Sequence, residues 1–308
     1  DSFYCGLIGL VLVIVLLPFH AQFNDLMRVC ILTVFSLIGS IAAYSLIPHI
    51  GMKCIAKGVF GMDINKGTQE KIPESVGLVT SVVFMFICLL FSTFVSSTNF
   101  IIAVLLILFN FTIGLIDDFL DIRWRYKLIL SFCSSIVLVQ MYPGSGMLWG
   151  WDLSVIYPFL LIALDVFFTN SVNMLAGING LETGQCIIIA FFSIIHNVVT
   201  MSSESSSQAQ RTAALYSLYL LIPFIFTTIV LFYYNKFPSK VFVGDSFTYF
   251  AGGLLGIASI IGGYDRLMFC FFFPEFVNFF VSIPQLFGIF PCPRHRLPKL
   301  NKETGKLE

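Results

Sequence analysis

The chain has 308 residues, 57% of them hydrophobic and only 11% charged, with 35 Phe and a mean hydropathy of +0.92. That composition excludes an ordinary soluble domain and describes a polytopic membrane protein. Acids and bases balance to +0 at pH 7, which excludes a global attraction to nucleic acid, so partners must be sought in local charge.

In chain order, residues 3–19 form an apolar run close to the lower limit for a span, ended by Pro18 and lacking a basic leader. Residues 1–28 are set apart as an N-terminal apolar segment without an assigned role, and 29–308 as the transmembrane domain. Runs at 29–47, 78–95, 100–116, 128–142, 155–170, 186–200, 215–234, 247–261 and 267–290 predict about nine spans, hence an all-α membrane bundle. The second and third runs are separated by only a few polar residues, which predicts an antiparallel hairpin. Pro274 and Pro284 predict kinks in the last run. The eight Cys include no C-x-x-C pair and read as small buried hydrophobes.

If the spans alternate, the segments 48–77, 117–127, 171–185, 235–246 and 291–308 share one side. They carry fourteen of the seventeen Lys and Arg, so the positive-inside rule makes that face cytoplasmic.

The densest charge in the chain lies there, in Gly114 to Leu128, which holds Asp117, Asp118, Asp121, Arg123, Arg125 and Lys127. A helix continued through it would bring Asp117, Asp118 and Asp121 onto one face, since residues three and four apart are neighbours. Carboxylates so crowded persist where a cation or a proton-transfer task holds them; a solvated loop pairing its own charges is the plainer alternative. In Asn170 to Gln185, Gly177, Gly180 and Gly184 permit close approach of a ligand to the main chain, and Asn173 and Asn179 offer amide groups to a metal or a base edge. A turn followed by a helix start would use the same residues. Asp245 stands at the mouth of a span, either as a helix-terminal acid or, with Asp117, Asp118 and Asn173, as part of a hard-oxygen set suited to Mg²⁺. Arg294, His295 and Arg296, between prolines, suit bidentate phosphate contacts, or more plainly an anionic lipid surface. Asp165 and Glu275 interrupt apolar runs and are left without a role.

Five segments taken together, IPES (72–75), DDFLDIRWRYK, NMLAGINGLETGQ, FVGDSFTYFAG and PRHR, closely resemble in content and order the eukaryotic branch of the polyprenyl-phosphate sugar-1-phosphate transferases. The resemblance runs from about Val29 to Glu308. It implies ten helices, with a cytoplasmic insert and the last helix lying beyond this sequence. It also implies transfer of GlcNAc-1-phosphate from UDP-GlcNAc to dolichyl phosphate, giving GlcNAc-pyrophosphate-dolichol and UMP, at the cytosolic face of the endoplasmic reticulum as the first step of lipid-linked oligosaccharide assembly for N-glycosylation. By that resemblance Asn173 and Asp245 hold Mg²⁺, and Asn179 contacts uracil. Glu74, Arg294, His295 and Arg296 hold the nucleotide sugar, Lys127 a phosphate, and Asp117 and Asp118 are the family's acidic pair. The expected partners are UDP-GlcNAc, dolichyl phosphate and membrane lipid, with a second copy of the chain as a candidate and no nucleic acid. Two alternatives are a nucleotide-sugar transporter and a related transferase with another sugar or lipid.

Overall fold

A computed structural model describes residues 23–63, 70–148, 151–286 and 288–290. Each of the nine predicted apolar runs overlaps a helix among the described residues: α1 (Phe23–Ala56), α2 (Gly77–Ser92), α3 (Thr98–Leu120), α4 (Trp124–Val139), α5 (Tyr157–Met174), α6 (Leu181–Ser202), α7 (Gln208–Asn235), α8 (Asp245–Gly262), and the pair α9 (Asp265–Phe271) and α10 (Phe273–Leu286). By length and composition, α1, α3, α6, α7 and α8 can each cross a membrane, and the α9–α10 pair makes a sixth candidate.

The boundaries follow local chemistry. The Ser207 hydroxyl accepts the Gln210 N–H, and the Gln210 side chain accepts the Ser207 N–H, a reciprocal cap that starts α7 after the Ser-rich linker. Ser97 caps α3 in the same sense, closing the short α2–α3 connection. The α9–α10 pair bends by 65° where the two helices meet. The bend falls just before Pro274, whose missing N–H and ring disfavour a continuous helix there, while Pro284 sits inside α10 without ending it.

Three expectations need correction. The bundle is not purely helical: β1 (Phe60–Met62) pairs antiparallel with β2 (Lys71–Pro73), and β3 (Met147–Leu148) with β4 (Trp151–Asp152), as small hairpins at the ends of the bundle. The first long helix runs past Pro48 to Ala56, so the polar stretch after Ile47 is helical at its start; at about 1.5 Å per residue it outreaches a bilayer core of ~30 Å. The cysteines are not uniformly buried, since Cys133 and Cys270 are exposed on outer helices.

α8 is the centre. Every residue from Ser246 to Ile261 is buried, and the helix packs against α3, α5 and α7. Such approach needs small side chains, because in lipid helices associate by packing and not by burial of oil from water. At Gly114 of α3, a Cβ would run into the Asp245 carbonyl of α8. Aromatic rings fill the rest, with Phe84 edge-on to Phe250 at 5.1 Å and Phe91 edge-on to Tyr219 at 4.9 Å. Asp165 is fully buried and accepts the Ser135 hydroxyl at 2.6 Å, a hydrogen bond that pins α5 to α4. Exposed Phe86, Leu89, Phe132 and Phe159 cover the outer face, as lipid contact requires.

Four of the five segments expected to share a side do meet at one end. Phe242 N–H donates to Pro73 O at 2.8 Å, Val76 N–H to Phe242 O at 3.1 Å, Gly180 N–H to Asn235 Oδ1 at 3.1 Å, and Asp245 N–H to Asp118 Oδ1 at 2.7 Å. The fifth, 291–308, lies outside the described residues.

Candidate active site

The charged run is broken in the middle. α3 ends at Leu120 because Asp121 turns into the left-handed region (φ 47°), and α4 begins at Trp124. Asp121 is therefore exposed at a helix end, and the expected face of three carboxylates does not form. Asp can adopt this conformation more readily than most residues. The break also has a partner, since Asp117 Oδ1 accepts the Ile122 N–H at 2.8 Å. It turns α4 so that Lys127 Nζ donates to Asp117 Oδ2, forming an ion pair in which both side chains are largely covered.

Lys127 Nζ also lies 3.8 Å from Asp245 Oδ2, and that same oxygen accepts the Asn173 amide at 3.0 Å. α3, α4, α5 and α8 thus each deliver one polar group to a single point. Asp118 plays a different part. Its carboxylate accepts two main-chain N–H groups of the α8 start, Asp245 at 2.7 Å and Ser246 at 3.0 Å. A carboxylate on the positive end of a helix dipole is favourable. Here it also fixes where Asp245 begins. Gly244, the residue before, has φ +75°, and a Cβ there would lie 2.6 Å from Ser75 Cα and 2.8 Å from Asp118 Oδ2. Only glycine combines that conformation with that clearance.

Beside this cluster is a cavity of about 340 Å³, lined by Glu74, Asn173, Gly177, Asn179, Glu182, Asn235 and Asp245 among others. Its floor is the segment between α5 and α6. Gly177 and Gly180 have positive φ, and Gly184 is helical. Three side chains hold the segment: Glu182 Oε1 accepts the Gly177 N–H at 2.9 Å, Asn235 Oδ1 accepts the Gly180 N–H, and the Asn179 amide donates to Asp63 Oδ2 at 2.7 Å. Glu74 stands at the exposed rim. Partial burial, and then the Asp118 carboxylate, raise its pKa above the ordinary glutamate value.

Of the residues singled out in the sequence, Asp117, Asp118, Lys127, Asn173 and Asp245 meet, and Asn179 and Glu74 line the same cavity. Arg294, His295 and Arg296 lie outside the described residues. Asp63, Glu182 and Asn235 were missed. Asn235 precedes a Lys and looks like any span end, and Asp63 carried no motif. Their value appears only when distant segments pair.

Two carboxylates, Asp117 and Asp245, share one Lys in this cluster, while Asp118 is satisfied by two N–H groups. Among the described residues, no group of three or more His, Cys, Asp or Glu is arranged to hold a metal ion. The Asn173 amide nitrogen donates to Asp245 Oδ2 at 3.0 Å, so two side chains with the hard oxygens that Mg²⁺ prefers touch at the edge of the cavity.

The family model described as Glycosyl transferase family 4 matches residues 100–263, from α3 to the end of α8. A Dictyostelium discoideum protein named UDP-N-acetylglucosamine--dolichyl-phosphate N-acetylglucosaminephosphotransferase is 41% identical, over 89% of this chain and 77% of that protein. Proteins of the same name from Schizosaccharomyces pombe and Saccharomyces cerevisiae are 36% and 31% identical, over 85% and 89% of this chain and 69% and 71% of their own lengths.

Proposed function

The chain belongs to glycosyl transferase family 4, and on that premise we propose that it moves GlcNAc-1-phosphate from UDP-GlcNAc to dolichyl phosphate, releasing UMP. The observation that carries this reading is the meeting of Asp117, Lys127, Asn173 and Asp245 at the edge of one cavity, within the stretch that the family model matches. The relatives' names supply the donor and the acceptor.

Phosphoryl transfer asks a protein mainly to position reactants and neutralise charge. In this reading an oxygen of the acceptor phosphate attacks the sugar-bearing phosphorus. A new P–O bond forms, the bond to the UMP oxygen breaks, and UMP leaves with that electron pair. Lys127 is the cation that would meet a phosphate, and its ion pair with Asp117 aims it. The 175–180 loop and Asn179 receive the nucleoside, and Glu74 meets the nucleotide sugar at the rim. Asn173 and Asp245 would hold Mg²⁺, which supplies charge neutralisation at the phosphate oxygens when bound. Arg294, His295 and Arg296 complete the proposal as pyrophosphate contacts. Asp118 acts through Asp245, as a cap that sets where α8 begins.

The Lys and Arg asymmetry supports a site facing the cytosol from the endoplasmic reticulum membrane. The test is incubation of the membrane protein with UDP-GlcNAc labelled in the sugar, Mg²⁺ and dolichyl phosphate. Label in the lipid with UMP as co-product is the expected result. UDP as co-product would make the reaction a sugar transfer, and label crossing a vesicle wall unaltered would make the protein a transporter.

A further inference from the structure

Asp63 follows β1 directly, is 5% exposed, and receives at 2.7 Å the amide of Asn179, a residue that lines the cavity. The pairing joins the hairpin β1–β2 to the loop between α5 and α6, which are 116 positions apart in the chain. An ionised carboxylate only accepts, so it meets the NH₂ side of the Asn179 amide and repels the oxygen side. A primary amide turned over by 180° swaps donor and acceptor while keeping its shape. Asp63 forbids that turn, because it would set two oxygens against each other with no proton between them. Asn179 Oδ1 therefore stays on the side away from Asp63, without a partner among the described residues, on a residue that lines the cavity.

We propose that Asp63 is a positioning residue for base selectivity: by locking the Asn179 amide it offers the nucleobase an acceptor, and so favours a pyrimidine whose ring nitrogen carries a hydrogen. Uracil has such an N3–H. Cytosine has a bare N3 lone pair at the same place and would meet the amide oxygen with repulsion. The inference rests on the reading that this cavity takes the nucleoside end of UDP-GlcNAc, and it adds the physical reason for uridine over cytidine. Sites built to hydrogen-bond a particular group reject analogues lacking it far more strongly than apolar pockets do.

The experiment is direct binding of UDP and of CDP to the full chain in detergent, without lipid acceptor, for the wild type and Asp63→Asn. An asparagine at 63 can donate as well as accept, so either orientation of Asn179 becomes acceptable. The expected wild-type preference for UDP is about 10²-fold or more, shrinking to within about tenfold in Asp63→Asn, mainly through better CDP binding. A variant that loses both ligands in equal proportion, one that keeps the wild-type ratio, or a wild type without preference would each overturn the proposal. If Asp63→Asn does not fold, Asp63→Ser removes the carboxylate at smaller volume, and the same ratio is read. Because no transfer step is measured, the outcomes separate cleanly. A wild type that prefers UDP but never labels lipid would sink the proposed function and leave this inference standing; normal transfer with an unchanged ratio in the variant would do the reverse.

Discussion

The two ends of α8 carry polar clusters of similar make-up and opposite character. At its start, Asp245 shares Lys127 with Asp117, accepts Asn173 and opens onto a cavity. Just past its end, Asp265 is buried and accepts the Tyr157 hydroxyl at 2.5 Å; Arg266 donates to that same hydroxyl at 3.2 Å and also to the Met147 carbonyl of the β3–β4 hairpin. Each cluster has buried acid and an adjacent cation. At the far end one acid and one base meet on the same tyrosine hydroxyl, and the donors are spoken for. At the near end two acids share one base, and the second of them opens onto a cavity. What separates a site from a latch is therefore the unspent charge and the room beside it, not the burial of an ionisable group, which structural pairs show equally.

That contrast can be broken by four measurements. The largest effect is expected for Asp245→Ala: a loss of about 10³-fold or more in turnover, the scale seen when a charge-stabilising group is removed from a transition state, with the melting temperature kept near the wild-type value. An Mg²⁺ titration that matches the wild type at near-normal rate would remove Asp245 from the metal set. Asp118→Asn comes next. The amide can accept only one of the two N–H groups at the α8 start and confronts the other, so stability should fall by about 1 to 3 kcal/mol along with turnover, and thermal unfolding beside the rate assay reads both. At the far end Tyr157→Phe removes the donor to Asp265 and should cost about 1 to 3 kcal/mol of stability while leaving UDP-GlcNAc affinity unchanged. A shift in affinity there would mean that the two ends are coupled. The smallest effect concerns Glu74. Its pKa lies above the unfolded value, so the fold binds this proton more tightly than the unfolded chain does. Stability from this group is present below the unfolded pKa and is lost as pH rises through the folded one. Glu74→Gln should then melt slightly higher than wild type at neutral pH, with the difference vanishing on acidification below the ordinary glutamate range.

The helices were legible because apolar length is a signal that survives without tertiary information, and the shared end was legible because Lys and Arg avoid one face. The turn at Asp121 was not. A helix continuing from Asp117 to Lys127 satisfies spacing rules equally well, and only the Asp117 side chain, taking the Ile122 N–H and Lys127 together, selects the break. The hairpins escaped for a similar reason: strands of two or three residues have no period to detect, and β2 is placed by its hydrogen bond from Phe242, about 170 positions further on in the chain, on the scale of a whole domain. Asn173, Asn179 and Asp245 were visible as residue types in a suggestive setting. Asp63 and Asn235 were not, because an acid in a loop and an amide at a span end are common, and their meaning is a distance.

The carboxylate of Asp118 is made by α3, but the two N–H groups that it holds belong to Asp245 and Ser246. During synthesis the first must wait for more than a hundred residues, and four intervening helices, before the second emerge. A nascent chain that has laid down α3 to α7 already owns Asp117, Lys127 and Asn173, yet has neither Asp245 nor the helix end that Asp118 clamps. The site is thus completed by the arrival of a late central helix, and interruption of the chain before Gly244 leaves a bundle with an empty axis and no partial enzyme.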